Sequence, residues 1–200
     1  EKELVLLQQK DANIFKSSSQ NALVVVPGSA KFFLPVEKGK LVVPNPKFMP
    51  DSPFYFLTEN KEKELVQNTK DEKQLIDAYL GLSLKRLGEL NRMIDSEANF
   101  QDISHVLNRY SVLWGEINKI YQSLRDKKNQ NINALVPRLR SYIWEERNFL
   151  AELINKQKNE TTKSSLKNTY KNLEDLFRTI REEDEKEIPM AEYEQAYDDT

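Results

Sequence analysis

The chain has 200 residues with 38 % hydrophobic and 31 % charged positions, a balance that suits narrow apolar stripes on solvated helices better than a thick core. The formal net charge is −2, but Arg181–Thr200 holds nine acidic residues against two basic ones, so a slight positive excess is spread thinly over the rest. That dispersion excludes a nucleic-acid footprint, the absence of cysteine excludes disulfides and thiolate metal sites, and no run reaches the roughly 18 apolar residues of a membrane span. The first residue is Glu1 and not Met, so the natural beginning is expected to lie outside this sequence, which leaves open whether a leader or membrane anchor stands there.

Residues 1–20 begin with Leu4-Val5-Leu6-Leu7 and turn polar through Lys16-Ser17-Ser18-Ser19-Gln20, as a linker or the stub of an upstream segment would. Residues 21–57 read as strands or extended chain. Leu23–Val26, Lys31–Leu34 and Leu41–Val43 are short apolar runs, each stopped by proline, with turns expected at Pro27-Gly28 and Lys38-Gly39. This segment ends in a helix entry, Pro50-Asp51-Ser52-Pro53-Phe54-Tyr55-Phe56-Leu57, with Pro53 expected in the first turn and Asp51 or Ser52 as its cap.

From residue 58 to 180 apolar positions recur every three or four residues, the period of a helix. After a charged, helix-prone stretch to Lys73, one stripe runs Leu75, Ile76, Tyr79, Leu80, Leu87, Leu90, Ile94, and a second runs from Ile103 to Leu124 through Tyr110 and Trp114. A third runs from Leu135 to Ile154, with Glu146 interrupting it and Pro137 in its first turns. A fourth runs from Leu166 to Ile180, with Thr161 or Thr162 as cap. Short polar links at Asp95–Asn99, Asp126–Asn131 and Asn155–Glu160 predict a mainly α fold. The expected architecture is an antiparallel up-down bundle of three to four helices with a short N-terminal β or extended segment. Residues 181–200 are expected to form an acidic tail.

The entry motif at Pro50–Leu57, followed by a long helix with Leu84-Lys85-Arg86-Leu87-Gly88-Glu89-Leu90, resembles a bacterial family of extracytoplasmic domains of unknown function over about residues 44–125. That family carries a Pro-Asp-Ser-Pro-(Phe or Leu)-Tyr segment leading into a helical hairpin. The resemblance implies placement in a secreted or membrane-anchored envelope protein and brings no established activity.

No catalytic, cofactor-binding or metal residue is expected, and no cofactor. His105 is the only histidine, too few for a zinc site without cysteine, and reads as a solvated helix residue. Neighbouring carboxylates such as Glu145-Glu146 diverge around a helix and do not converge on a cleft. The glycines stand singly, so no phosphate-cradling loop forms. Phe54, Tyr55 and Phe56, with Phe48, Met49 and Leu57, are expected to clasp the N-terminal segment to the bundle. A helix face around Tyr142, Trp144 and Arg147, or the exposed edge of the N-terminal β segment, is the expected contact surface for an unidentified protein partner. The sequence therefore reads as a non-catalytic structural or protein-interaction module of the bacterial cell envelope, outside the cytoplasm. The alternatives are a ligand- or stress-sensing helical domain with a small cavity between helices, and a cytoplasmic location.

Overall fold

A computed structural model of the chain describes residues 35–37, 40–127 and 132–187. The segment 1–20, the runs Leu23–Val26 and Lys31–Leu34, the turns at Pro27-Gly28 and Lys38-Gly39, and residues 188–200 of the acidic tail lie outside them.

The protein is mainly helical. Two short strands, β1 (Val36–Glu37) and β2 (Lys40–Leu41), pair antiparallel with Val36 opposite Leu41. Five helices follow among the described residues: α1 (Tyr55–Asn68), α2 (Glu72–Asp95), α3 (Phe100–Asp126), α4 (Ile132–Lys156) and α5 (Glu160–Glu187). The charged stretch before the first stripe is thus a helix of its own, and α5 continues past Ile180 into the acidic run. None of the described helices is long and apolar enough to cross a membrane.

Local chemistry explains the boundaries. Asp71 accepts a hydrogen bond from the Gln74 amide at 2.9 Å and Asn99 accepts one from the Asp102 amide at 3.0 Å, capping α2 and α3. At α5 the cap is Asn159, which accepts from the Thr162 amide at 3.1 Å, so Thr162 is inside the helix and neither expected threonine is the cap. Helix α2 ends in a Schellman turn: the Ala98 amide donates to Met93 O and the Glu97 amide to Ile94 O, with Glu97 left-handed at φ 53°. Pro137 lies inside α4, in its second turn, so the expectation that its missing N–H falls among the free ones of the first turn does not hold, and the helix forgoes one backbone hydrogen bond there.

Helix α2 packs along α3, α4 along α5, α3 against α5 and α2 against α4. One apolar core runs through all four, including Ile76, Leu80 and Leu87 of α2, Val106 and Ile117 of α3, Leu139 and Ile143 of α4, and Leu166 and Leu173 of α5. The chain before α1 is strapped across this core. Leu41 enters it, Lys40 pairs with Glu152 of α4 at 3.1 Å, and Arg92 of α2 donates to Pro46 O at 3.1 Å. Pro44 O lies 2.0 Å from where a Cβ on residue 88 would stand, so only glycine at 88 lets the strap lie this close to α2.

Candidate functional site

Tyr55 opens α1 and is 5 % exposed, whereas its neighbours Phe54 and Phe56 are 56 % and 53 % exposed. The clasp formed by this triplet is therefore Tyr55 alone. Three consecutive side chains at the start of a helix fan out over about 200°, and only one of them can face the core. Leu57 is exposed too, Met49 packs against the core, and Phe48 meets the Phe54 ring at 6.0 Å. Nor does Pro53 sit in the first turn. The chain makes a tight turn over 49–54, in which the Phe54 amide donates to Ser52 Oγ, and α1 starts at Tyr55.

The Tyr55 phenol is the centre of a buried ionic cluster. It donates to Glu89 at 3.1 Å and accepts from Arg86 Nη1 at 2.6 Å and Arg109 Nη1 at 3.0 Å. Arg86 binds Glu89 at 2.5 Å, and its other terminal nitrogen binds Glu62. Lys85 reaches Glu62 at 2.5 Å, and Arg109 reaches Glu59 at 2.7 Å and Glu62 at 3.0 Å. Three carboxylates thus meet three cations, and the cluster is neutral overall. Burial pushes the Tyr55 phenol above its ordinary range, although Arg86 pulls it down, so it stays protonated. Arg86 is held cationic because Glu89 and Glu62 offset the effect of its burial. The cluster fixes α1 to α2 and α3 with charge: Tyr55 and Glu62 are the buried residues of α1.

A second polar centre lies where α4 faces α2 and α3. Glu146, the interruption of the third stripe, is fully buried. Ser83 of α2 lies 2.6 Å from its Oε1, while Tyr110 and Trp114 of α3 donate to its Oε2 at 2.6 and 2.9 Å. No cation pairs with it among the described residues. Burial pushes its carboxyl up to about 7, with the three hydrogen bonds pulling the other way. The sequence signal was available: a glutamate in phase with Ile143 and Leu150 on an otherwise apolar stripe.

The expected contact surface divides. Tyr142 is buried in the core, and burial pushes its phenol up to about 12. Trp144 is 50 % exposed and meets the Phe177 ring of α5 at 6.3 Å. Residues two apart point to opposite sides of a helix, so Tyr142 and Trp144 never shared a face, whereas Trp144 and Arg147, three apart, do. The Arg147 guanidinium lies 5.7 Å from the Trp144 ring, 5.1 Å from Tyr170 and 5.6 Å from Phe177, and donates to the Tyr170 hydroxyl at 3.0 Å. His105 is exposed on α3, and no group of three potential metal ligands occurs among the described residues.

Between α3 and α5 runs a groove of about 220 Å³, lined by Tyr110, Trp114, Gly115, Asn118, Thr169 and Leu173 among others. The buried Asn118 Oδ1 at its wall has no hydrogen-bond partner among the described residues.

Residues 47–140 match a protein family described as Domain of unknown function (DUF5667). No curated protein and no solved structure matches the chain. The matched stretch holds the entry motif and the whole ionic cluster from Tyr55 to Arg109, while Glu146 lies beyond it.

Proposed function

We propose that the chain is a non-catalytic protein-interaction module of the bacterial cell envelope, and that the exposed apolar side chains around the start of α1, Phe54 on the preceding turn and Phe56 and Leu57 on the helix, are its contact residues. The observation that carries this reading is the contrast within the entry motif. Two phenylalanines stand more than half exposed on either side of a tyrosine locked into buried ion pairs. Large apolar side chains held rigidly in water lose little conformational freedom when a partner covers them. Trp144, steadied by Phe177 and Arg147, is a second exposed aromatic of the same kind. The envelope location rests on the resemblance of the motif to extracytoplasmic domains. The same reading takes α2–α5 as an antiparallel up-down bundle. Its supports are the short connections and the end pairs Lys127–Glu72, which joins the end of α3 to the start of α2, and Lys156–Asp95, which joins the ends of α2 and α4.

A photo-crosslinking residue at position 56, in the full protein within its native host, tests the proposal. The expected result is one dominant crosslinked envelope protein, lost when Phe54→Ser is added while the melting temperature stays unchanged. Crosslinks confined to cytoplasmic proteins, or none above a Val112 control, overturn it.

The groove between α3 and α5, with its unpaired Asn118 oxygen, favours a second reading as a ligand-sensing domain. A small molecule that raises the melting temperature of the parent but not of Asn118→Leu would support that reading over the first.

A further inference from the structure

The hydrogen bonds around Glu146 can all be satisfied in only one of its protonation states. Ser83 Oγ carries a single proton but lies within bonding distance of two acceptors, Glu146 Oε1 at 2.6 Å and Leu80 O at 2.8 Å. When Glu146 is a neutral acid, its own proton on Oε1 is donated to Ser83 Oγ, and the Ser83 proton goes on to Leu80 O. Tyr110 and Trp114 complete the set by donating to Oε2. When Glu146 is ionised, the Ser83 proton must turn back to Oε1, and a full negative charge rests on three neutral donors in a dry layer.

We propose that Glu146 is a proton-operated lock: the neutral acid closes a hydrogen-bond chain from α4 to the backbone of α2, and loss of its proton reverses the Ser83 hydroxyl and leaves an unpaired anion between α2, α3 and α4.

The surroundings offer no other charge to balance that anion. Ser83 faces it from α2, and Tyr110 and Trp114 face it from α3. Burial drives the Tyr110 phenol well above its ordinary range, so it remains a donor. On α4 itself Tyr142 is neutral, and Arg138 is committed to Asp77 of α2. Helix α5 meets this layer through Thr169 and Leu173, which share the groove with Tyr110 and Trp114, and its Glu174 and Tyr170 engage Arg147. Glu59 and Glu62 of α1, with Arg86 and Arg109, are spent in the Tyr55 cluster.

The sign follows from linkage. The folded-state carboxyl is raised to about 7 from its ordinary 4.5, so the folded chain binds the proton more tightly than the unfolded one. The stabilisation is complete below the ordinary value and is lost as pH rises through about 7. The group is fully buried within the apolar core, so the loss is felt as loosening of the α2–α3–α4 interface and not as a surface event.

The chain contains two tryptophans, so Trp144→Phe leaves Trp114, a direct donor to Glu146, as the only reporter. In that background, Trp114 emission and the melting temperature are followed from pH 5 to 8.5. Both are expected to change together in one transition within about a unit of pH 7, with the melting temperature falling as pH rises. Glu146→Gln should abolish the transition, and His105→Gln, which removes the only imidazole, should leave it intact. If Glu146→Gln does not fold, the infrared band of a protonated carboxyl in the parent at pH 5.5, lost by pH 8.5, and an upward shift of the midpoint in Ser83→Ala serve the same purpose. A flat Trp114 signal, a transition that survives Glu146→Gln, one that disappears with His105→Gln, or no protonated-carboxyl band overturns the proposal.

Discussion

Arg86 is the side chain on which most of the buried charge depends. It touches Tyr55, Glu62 and Glu89 at once, and it is almost fully buried with its Nε lacking any acceptor among the described residues. A cluster of this kind adds little net stability compared with apolar packing, because desolvating the ions offsets their attraction. Removing one member is another matter, since it strands the opposite charges in a dry site. Arg86→Met should destabilise the protein by about 3–5 kcal/mol, read as a lowered urea midpoint. A loss under about 1 kcal/mol would show that water enters the cluster and screens it. Arg86 and Glu89 belong to the Leu84–Leu90 segment that carries the family resemblance, and by its pattern alone that segment is an ordinary amphipathic helix. Its meaning comes from Tyr55, which lies 31 residues upstream of Arg86 and meets it only once the chain has folded.

At the scale of elements, α1 is the piece held least by apolar contact. The clasp expected from the aromatic triplet would have made Phe54 and Phe56 as costly to remove as a core residue, but their exposure reverses this. Phe54→Ala and Phe56→Ala should each change stability by no more than about 0.5 kcal/mol, while Tyr55→Ala should cost about 3 kcal/mol or more in thermal or urea unfolding. Equal losses at all three positions would mean that Phe54 and Phe56 pack inward as Tyr55 does. The connection between α2 and α3 offers an opposite case. Glu97 holds a left-handed conformation where glycine is normally found, at a cost of roughly 1 kcal/mol. Glu97→Gly should therefore stabilise the protein by a few tenths to about 1 kcal/mol, and a loss would mean that its contact with Lys158 outweighs the strain.

For the molecule as a whole, the described residues divide into an apolar core spanning α2–α5 and two polar centres of different character. One balances three charges of each sign, and the other buries a single acid among neutral donors. Neither gathers the three ligands that a metal needs. Chelation of divalent ions is accordingly expected to leave the melting temperature unmoved. A drop of about 4 °C or more, on the order of 1 kcal/mol for a chain of this size, would reveal a metal site.

Periodicity alone was enough to determine the helical class, four of the five helices, the short connections and most of the core, because a 3.6-residue repeat states which side of each helix avoids water. It located Pro137 within the first turns of α4 and marked the Glu146 position as an interruption of a buried stripe. Tertiary structure alone decided which of three adjacent aromatics turned inward and what lay opposite each buried charge. Glu146 and Ser83 are 63 residues apart, and Tyr55 and Arg109 are 54 apart. A helix repeat records the direction in which a side chain points. It carries no record of the atom waiting across the interface, and the ionisation of a buried acid and the fate of a buried arginine are set by that atom.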